Sequence, residues 1–164
     1  MIHTVEESSL DLELIGANCR SLEWLHLLYI DSCQGTLQGL SSLEELHADS
    51  CFHDFQPGSL IPVHSMASLT HLALLFGYEE FWLDDAFEAR ILDRFVNLKS
   101  LYVHPFSNEL CDFLLRITTI ELNEFRTTVL SDHGLVDRLK IVAMFSKPSL
   151  RSLRSLCFAV EDHD

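Results

Sequence analysis

Apolar residues recur along the chain in one pattern: an apolar residue, two others, a leucine, two others, a second leucine, one other and a last apolar residue. Spacings of three suit a helix end and a tight turn, whereas the closing alternation of period two suits a strand. The pattern therefore predicts about six units, each made of a strand and a return. The aligned segments are CRSLEWLHL, LSSLEELHA, MASLTHLAL, FVNLKSLYV and LRSLRSLCF, with a sixth, LLRITTIEL, that has isoleucines in place of the two leucines.

No single unit of this size can bury its own leucines, so neighbouring units are expected to stack. We predict an α/β fold in one domain over residues 1–164, a solenoid of about six irregular strand–return units. Its strands would form a parallel, concave sheet with the returns on the outer side. The intervals between units are unequal, which keeps open an ordinary α/β domain in which short leucine strings recur by chance.

Several returns carry helical signals, an apolar face at a spacing of three or four residues or a residue that can cap a helix. One helix is expected near the N-terminus, one with Asp84 and Asp85 near its start, one capped by Ser107 and one capped by Ser131. The loop around Gly35 carries turn residues instead. The predicted apolar faces are Leu10, Leu12 and Ile15; Leu83, Phe87, Ile91 and Phe95; Leu110 and Leu114; and Leu135, Leu139 and Val142.

Side chains that alternate with the buried leucines would point to the concave face, where we place the candidate binding site. Trp24 and Tyr102 are typical anchors of protein interfaces, and Glu45, Asp49 and Glu121 make the face negative. We predict a groove for a protein segment with a basic and an apolar anchor. Alternatively, the aromatic side chains pack against the long returns and nothing binds. The candidate residues are Trp24, His26, Leu28, Glu45, His47, Asp49, His71, Leu75, Tyr102, His104 and Glu121.

The charge balance narrows the choice of partner. The formal net charge is −14, from 25 acidic and 11 basic residues. Such a surface repels phosphate backbones and anionic lipid headgroups. We therefore expect neither a nucleic acid nor a membrane as partner, and we expect a protein with a basic patch.

The cysteines and the N-terminal residues bear on the compartment. The chain has five cysteines, an odd number without compact spacing, which favours a reducing compartment over a disulfide framework. The first ten residues lack the apolar run of a signal peptide, and no stretch is long and apolar enough for a membrane span. The sequence therefore predicts a cytoplasmic or nuclear protein.

One segment carries a family resemblance. Residues 15–27, IGANCRSLEWLHL, resemble the cysteine-containing form of the leucine-rich repeat, and Cys51 lies at the place of that form's cysteine after the second strand. With the strings SLEWLHL and NLKSLYV, the chain over about residues 12–160 is similar to the leucine-rich-repeat part of F-box proteins, especially divergent fungal ones. This resemblance implies an interaction scaffold that holds a substrate for a cullin-type ubiquitin ligase.

The F-box itself is missing from the sequence. Met1 lies about half a repeat before the first predicted strand, which leaves no room for that helical module, and the chain stops barely past its last strand. We expect a fragment, or a chain shortened relative to longer family members. Contact with the ligase adaptor is expected only if an F-box lies upstream, since fold kinship does not determine function.

Other chemistry is less well supported by the sequence. His47, Cys51 and His53 cluster, with His26 and Asp49 nearby, but their spacing fits no established zinc module. Phosphate-binding glycine loops and nucleophile elbows are absent from the sequence, and Cys19 falls in an apolar register that favours core packing. We predict no metal, no cofactor and no enzymatic activity. The alternatives are a metal-binding or thiol-dependent α/β enzyme, or a degenerate fragment without separate activity.

Overall fold

The computed structural model describes most of the repeats and several of the returns between them. Within these residues the fold is mixed α/β, with a six-stranded parallel sheet, a separate two-stranded sheet and three short helices. The expectation of an α/β fold with a parallel sheet is thereby confirmed. The described residues are 9–28, 32–35, 37, 39–50, 66–76, 96–104, 106, 108–116, 120–130 and 137–161.

The strands follow one another in space as they do along the chain. The large sheet has the order β2-β4-β5-β6-β7-β8, and all its pairings are parallel. Because parallel crossovers are right-handed, this sequential order places the connections on one face of the sheet. The strands are β1 (Ser9–Asp11), β2 (Trp24–Leu28), β3 (Ser32–Gln34), β4 (Glu45–Ser50), β5 (His71–Phe76), β6 (Ser100–His104), β7 (Glu124–Leu130) and β8 (Ser155–Glu161).

Two rows of apolar side chains run across the sheet and form much of its core. The residues at matching positions are paired in register from strand to strand. In the first five strands both rows are buried, and in β8 both positions are exposed. The first row is Leu25, Leu46, Leu72, Leu101, Phe125 and Leu156, and the second is Leu27, Ala48, Leu74, Val103, Thr127 and Phe158.

The predicted register was wrong at the fifth unit. Leu101 pairs with Phe125, not with Ile120, and the strand begins at Glu124. Ile120 and Leu122 are buried in the segment before the strand, so their apolar pattern reflects core packing there. Phe125 and Thr127 occupy the leucine places. Aromatic and β-branched residues are good strand formers, but they do not match a leucine pattern.

The junctions between neighbouring units repeat the same backbone hydrogen bonds. The carbonyl of Glu23 accepts the N–H groups of Glu44 and Glu45 at 2.8 and 3.0 Å. The carbonyl of Glu44 accepts the next unit's Thr70 and His71 at the same two distances, and the pair of bonds recurs through β8. At each of these junctions, the start of a strand is therefore held by two backbone hydrogen bonds to the residue just before the preceding strand.

The helices are α1 (Leu12–Asn18), α2 (Asn108–Arg116) and α3 (Arg138–Phe145). In α1 the carboxylate of Asp11 caps the helix by accepting the N–H of Leu14 at 3.0 Å, so Leu10 precedes the helix and lies in β1. The buried face of α2 contains Leu110 and Leu114, as predicted. Ser107 and the helix expected over residues 83–95 lie outside the described residues.

The predicted apolar face of α3 was wrong. Leu139 and Val142 are exposed, and the core side carries Met144, with Ile141 and Phe145 partly buried. Asp137 caps the helix, since its carboxylate accepts the N–H of Leu139 at 2.8 Å. Ser131 and Leu135, the predicted cap and the first residue of the predicted face, lie outside the described residues.

The first large-sheet strand is covered by an N-terminal assembly of β1, α1 and β3. Strands β1 and β3 pair in parallel, and Leu12 and Leu37 are buried in the same core as β2. Gly39 has a φ of +101°, and a Cβ there would lie 2.9 Å from the carbonyl oxygen of Gly16 in α1. Glycine is required at this position because other residues rarely adopt this φ. In addition, any Cβ would lie too close to the carbonyl oxygen of Gly16.

Candidate binding face of the sheet

The side chains that alternate with the buried rows form one surface, here called the open face. Its members are exposed or half-buried except Thr128, which is buried. A parallel sheet usually has both faces covered, so a polar, partly solvated face suits contact with another molecule. The open face consists of Trp24, His26, Leu28, Glu45, His47, Asp49, His71, Ala73, Leu75, Ser100, Tyr102, His104, Glu124, Arg126, Thr128, Ser155, Cys157 and Ala159.

All the predicted site residues lie on the open face except Glu121. Glu121 is exposed but precedes β7, so it belongs to the turn before the strand and takes no part in the ladder. The error follows from the misplaced register of the fifth unit. The residues that sequence reasoning missed are Glu124 and Arg126, which occupy that strand's open-face positions and would follow from pairing Leu101 with Phe125.

Strands β2 and β4 bring two histidines and a carboxylate together. His26 Nε2 lies 2.8 Å from Glu45 Oε1, and both side chains are partly exposed. The rings of His26 and His47, which are paired across the strands, have centroids 5.2 Å apart. Asp49 lies next along this face of β4, so the cluster holds two acids and two titratable rings.

His47 is the most constrained member of this cluster. Burial lowers its pKa below the ordinary 6.5, and nearby His26 lowers the pKa further, while Asp49 and Glu45 act in the opposite direction. Its Nε2 is buried and has no hydrogen-bond partner among the described residues. Burial therefore favours the neutral ring.

His71 continues the surface on β5. Its Nδ1 lies 2.8 Å from the hydroxyl of Thr70, which also lies 3.1 Å from the carbonyl oxygen of Glu44. The hydroxyl has one proton, so when it donates to that carbonyl, His71 Nδ1 must be the donor toward Thr70. The contact with Thr70, in the junction just before β5, therefore orients the imidazole of His71.

The opposite half of the open face carries an ion pair in place of the predicted negative charge. Arg126 Nε donates to Glu124 Oε1 at 2.7 Å, and the hydroxyl of Ser100 donates to Glu124 Oε2 at 3.1 Å. The pKa of Glu124 is lowered, mainly by the hydrogen bond from Arg126. On the half of the open face formed by β2 and β4, the two acids are Glu45, which contacts His26, and Asp49.

Two large side chains lie at different depths on the face. Trp24 is 66% exposed at the edge of the sheet, beside Glu45 in the ladder. Tyr102 is half-buried in the middle, between Ala73 and Arg126. The indole and the two acids of β4 thus offer an apolar surface next to negative charge.

Within the described part of the chain, no group of three or more histidine, cysteine or acidic side chains is placed to hold a metal ion. Cys51 and His53, the other members of the predicted cluster, lie outside the described residues. Cys19 is exposed, so its predicted core packing was wrong; it ends α1, where its N–H donates to the carbonyl of Ile15.

Within the described ranges, none of the helices is long and apolar enough to cross a bilayer.

Comparison with protein-family models, with curated proteins and with solved structures gave no match.

Proposed function

We propose that the chain is a leucine-rich-repeat solenoid that acts as a protein-binding scaffold and takes its partner on the open face. Three features support the solenoid: strand order that follows chain order, matching leucine rows, and hydrogen bonds that recur at each described junction. In repeat proteins each unit contacts only its neighbours, and the extended sheet surface serves for binding.

The observation that carries the binding proposal is the pairing of Trp24 with Glu45 on adjacent strands, with Asp49 farther along the same face of β4. An exposed indole supplies contact area with little loss of conformational freedom, and the acids favour a cationic side chain. The fitting partner is an extended protein segment with a lysine or arginine beside an aromatic or aliphatic residue. Neighbouring strands repeat at about 4.8 Å, so such a segment can contact several strands at once.

A defined probe tests this proposal. A fluorescent peptide of alternating arginine and leucine is titrated with the protein, and a peptide of alternating glutamate and leucine serves as its matched control. We expect the basic peptide to bind and the affinity to fall with added salt, because the contact is partly electrostatic. Equal binding of both peptides, or of neither, contradicts the proposal.

Substitutions on the open face locate the contact. Trp24→Asp and Tyr102→Asp should each weaken binding of the basic peptide by about tenfold or more, because each removes an anchor. Leu14→Asp is the matched control, since Leu14 is 61% exposed, close to the 66% of Trp24, but lies on α1. If Leu14→Asp weakens binding as much as Trp24→Asp, the contact is elsewhere.

A role in substrate recognition for a cullin-type ubiquitin ligase is proposed from the repeat resemblance alone. Because the adaptor is bound by an F-box, this chain by itself should not bind the purified adaptor. Fusion to a known F-box should allow adaptor and basic peptide to bind together. A fusion that binds the adaptor but not the peptide counts against this role.

A further inference from the structure

All the histidines in the described part of the chain lie on the open face. They are His26, His47, His71 and His104, one on each of strands β2, β4, β5 and β6. Histidine is the side chain that ordinarily gains a positive charge between about pH 5 and 8. The charge of the open face therefore depends on pH in that range.

His26 contacts a carboxylate that is central to the proposed binding site. Its Nε2 lies 2.8 Å from Glu45 Oε1. An ionised carboxylate can only accept hydrogen bonds, so Nε2 carries the proton of the neutral ring and Nδ1 has none. A second proton adds at Nδ1, and Coulomb attraction then adds to the hydrogen bond from Nε2. Protonation therefore holds Glu45 more tightly against His26.

The neighbouring ring of His47 directs this proton to His26. The two ring centroids are 5.2 Å apart, and a charge on one ring disfavours a like charge on the other. Burial lowers the pKa of His47, and the charge of His26 lowers that pKa further. The pair therefore takes up its first proton on His26, beside Glu45.

Strands β2, β4 and β5 supply the other groups that face the pair. Strand β2 adds no further titratable side chain, β4 adds Glu45 and Asp49, and β5 adds His71. His71 lies beside Glu45 in the ladder, and its Nδ1 contacts the hydroxyl of Thr70. A proton on His71 acts in the same direction as one on His26, because it also adds positive charge next to Glu45.

We propose that His26 is a proton switch on the open face: when protonated, it holds Glu45 as an ion pair, and the basic segment is released. The cationic side chain of that segment and the protonated imidazole compete for the same carboxylate, so each weakens the binding of the other. This inference rests on the proposed function, because it needs the segment to bind at Glu45. Affinity is therefore highest above the range in which histidine titrates and falls as pH drops through it.

Titration of the fluorescent arginine–leucine peptide at about pH 7.5 and about pH 5.5, at one ionic strength, tests the switch. Arginine keeps its charge over this range, so the peptide itself does not change. Because one linked proton changes a dissociation constant by at most about tenfold per pH unit, we expect a rise of at least about fivefold on acidification. An equal or tighter complex at the lower pH overturns the switch and leaves the proposed function standing. No binding at the higher pH overturns both.

Two histidine variants locate the sensor. His26→Gln removes the titrating ring but keeps a donor for Glu45, so the change in affinity with pH should drop below about twofold. The His26 side chain is 46% exposed, so its replacement leaves the core intact. His104→Gln is the matched control, since His104 lies on the same face but two strands from His47, and it should retain the pH dependence. Equal pH dependence in the two variants overturns the assignment to His26, and a general loss of structure at low pH would affect both alike.

Calorimetry of the same peptide complex detects the proton directly. At about pH 6, binding should release protons to the buffer, because the cationic side chain displaces the proton of His26. The heat of binding should then differ between two buffers of different ionisation enthalpy. This difference should vanish in His26→Gln and persist in His104→Gln. A heat of binding by the parent protein that does not depend on the buffer overturns the proposal.

Discussion

The two edge strands of the large sheet carry apolar residues at matching core-side positions, yet the environments of these residues differ sharply. Leu25 and Leu27 of β2 are 6% and 1% exposed. Their counterparts in β8, Leu156 and Phe158, are 49% and 39% exposed. Both strands end the sheet, so being an edge strand does not explain the difference.

The neighbouring segments explain it. Strand β2 lies between α1, which precedes it, and a return that buries Leu37 and Leu40 in the same core. Strand β8 is preceded by α3, and no described segment follows it. The core-side residues of β2 are therefore buried because described segments before and after the strand cover them.

The largest expected effect tests this explanation directly. Leu25→Ala should destabilise the fold by about 2–5 kcal/mol, the usual loss for a buried leucine, as should Leu101→Ala in the central strand. Leu156→Ala should cost much less, because half of that side chain is already in water. Chemical denaturation of the three variants in dilute solution gives the comparison. Equal losses at Leu25 and Leu156 would contradict it.

A second effect concerns the N-terminal assembly alone. Gly39→Ala should destabilise the protein by about 1–3 kcal/mol, because alanine strains the backbone at this φ and its methyl group meets the carbonyl of Gly16. Gly35→Ala should cost less, since its methyl group mainly meets the flexible side chain of Glu13. Thermal unfolding of both variants measures the difference. A larger loss at Gly35 would show that contact with α1 is not the cause.

A third effect distinguishes β7 from the strands before it. Thr127 is buried in a row of apolar residues, and within the described part of the chain its hydroxyl has no hydrogen-bond partner. Thr127→Val should stabilise the protein by about 1 kcal/mol, because it removes an unsatisfied buried group at nearly constant shape. Thr70→Val should do the reverse, since its hydroxyl bridges Glu44 and His71. Denaturation midpoints settle the sign, and a loss at Thr127 would mean that its hydroxyl is satisfied.

The smallest expected effect is a difference in the pH dependence of stability between His47 and Glu124, which lie in opposite halves of the open face. The lowered pKa of His47 means that the unfolded chain binds the proton more tightly, so stability falls as pH drops below 6.5 toward the folded pKa. The lowered pKa of Glu124 makes its contribution disappear only as pH falls below 4.5. Unfolding free energies of His47→Gln and Glu124→Gln, measured from above pH 6.5 to well below pH 4.5, test these two windows.

Each variant serves as the control for the other. His47→Gln should flatten the pH dependence below 6.5 and leave the dependence below 4.5 unchanged, and Glu124→Gln should do the opposite. Identical profiles for both variants and the parent protein would rule out these groups as the source.

The strands and the open face were predictable wherever the leucines were regular. Leu25, Leu46, Leu72 and Leu101 set the register, and the residues that alternate with them follow from strand geometry. The prediction failed at Phe125 and Thr127, where other strand formers replace leucine. It failed again in α3, because Leu139 and Val142 form an apolar pair that looks like a core face but lies in solvent.

By itself the sequence determined a repeating strand, a parallel sheet and a face of alternating polar and aromatic residues, because these depend on local periodicity. Only the tertiary structure decided which strand positions form the fifth ladder, that Glu124 is paired with Arg126, and that Leu156 and Phe158 are exposed. These features depend on which residues from distant parts of the chain meet. Periodicity predicts which face of a strand a residue lies on, but not which residues from other parts of the chain pack against it.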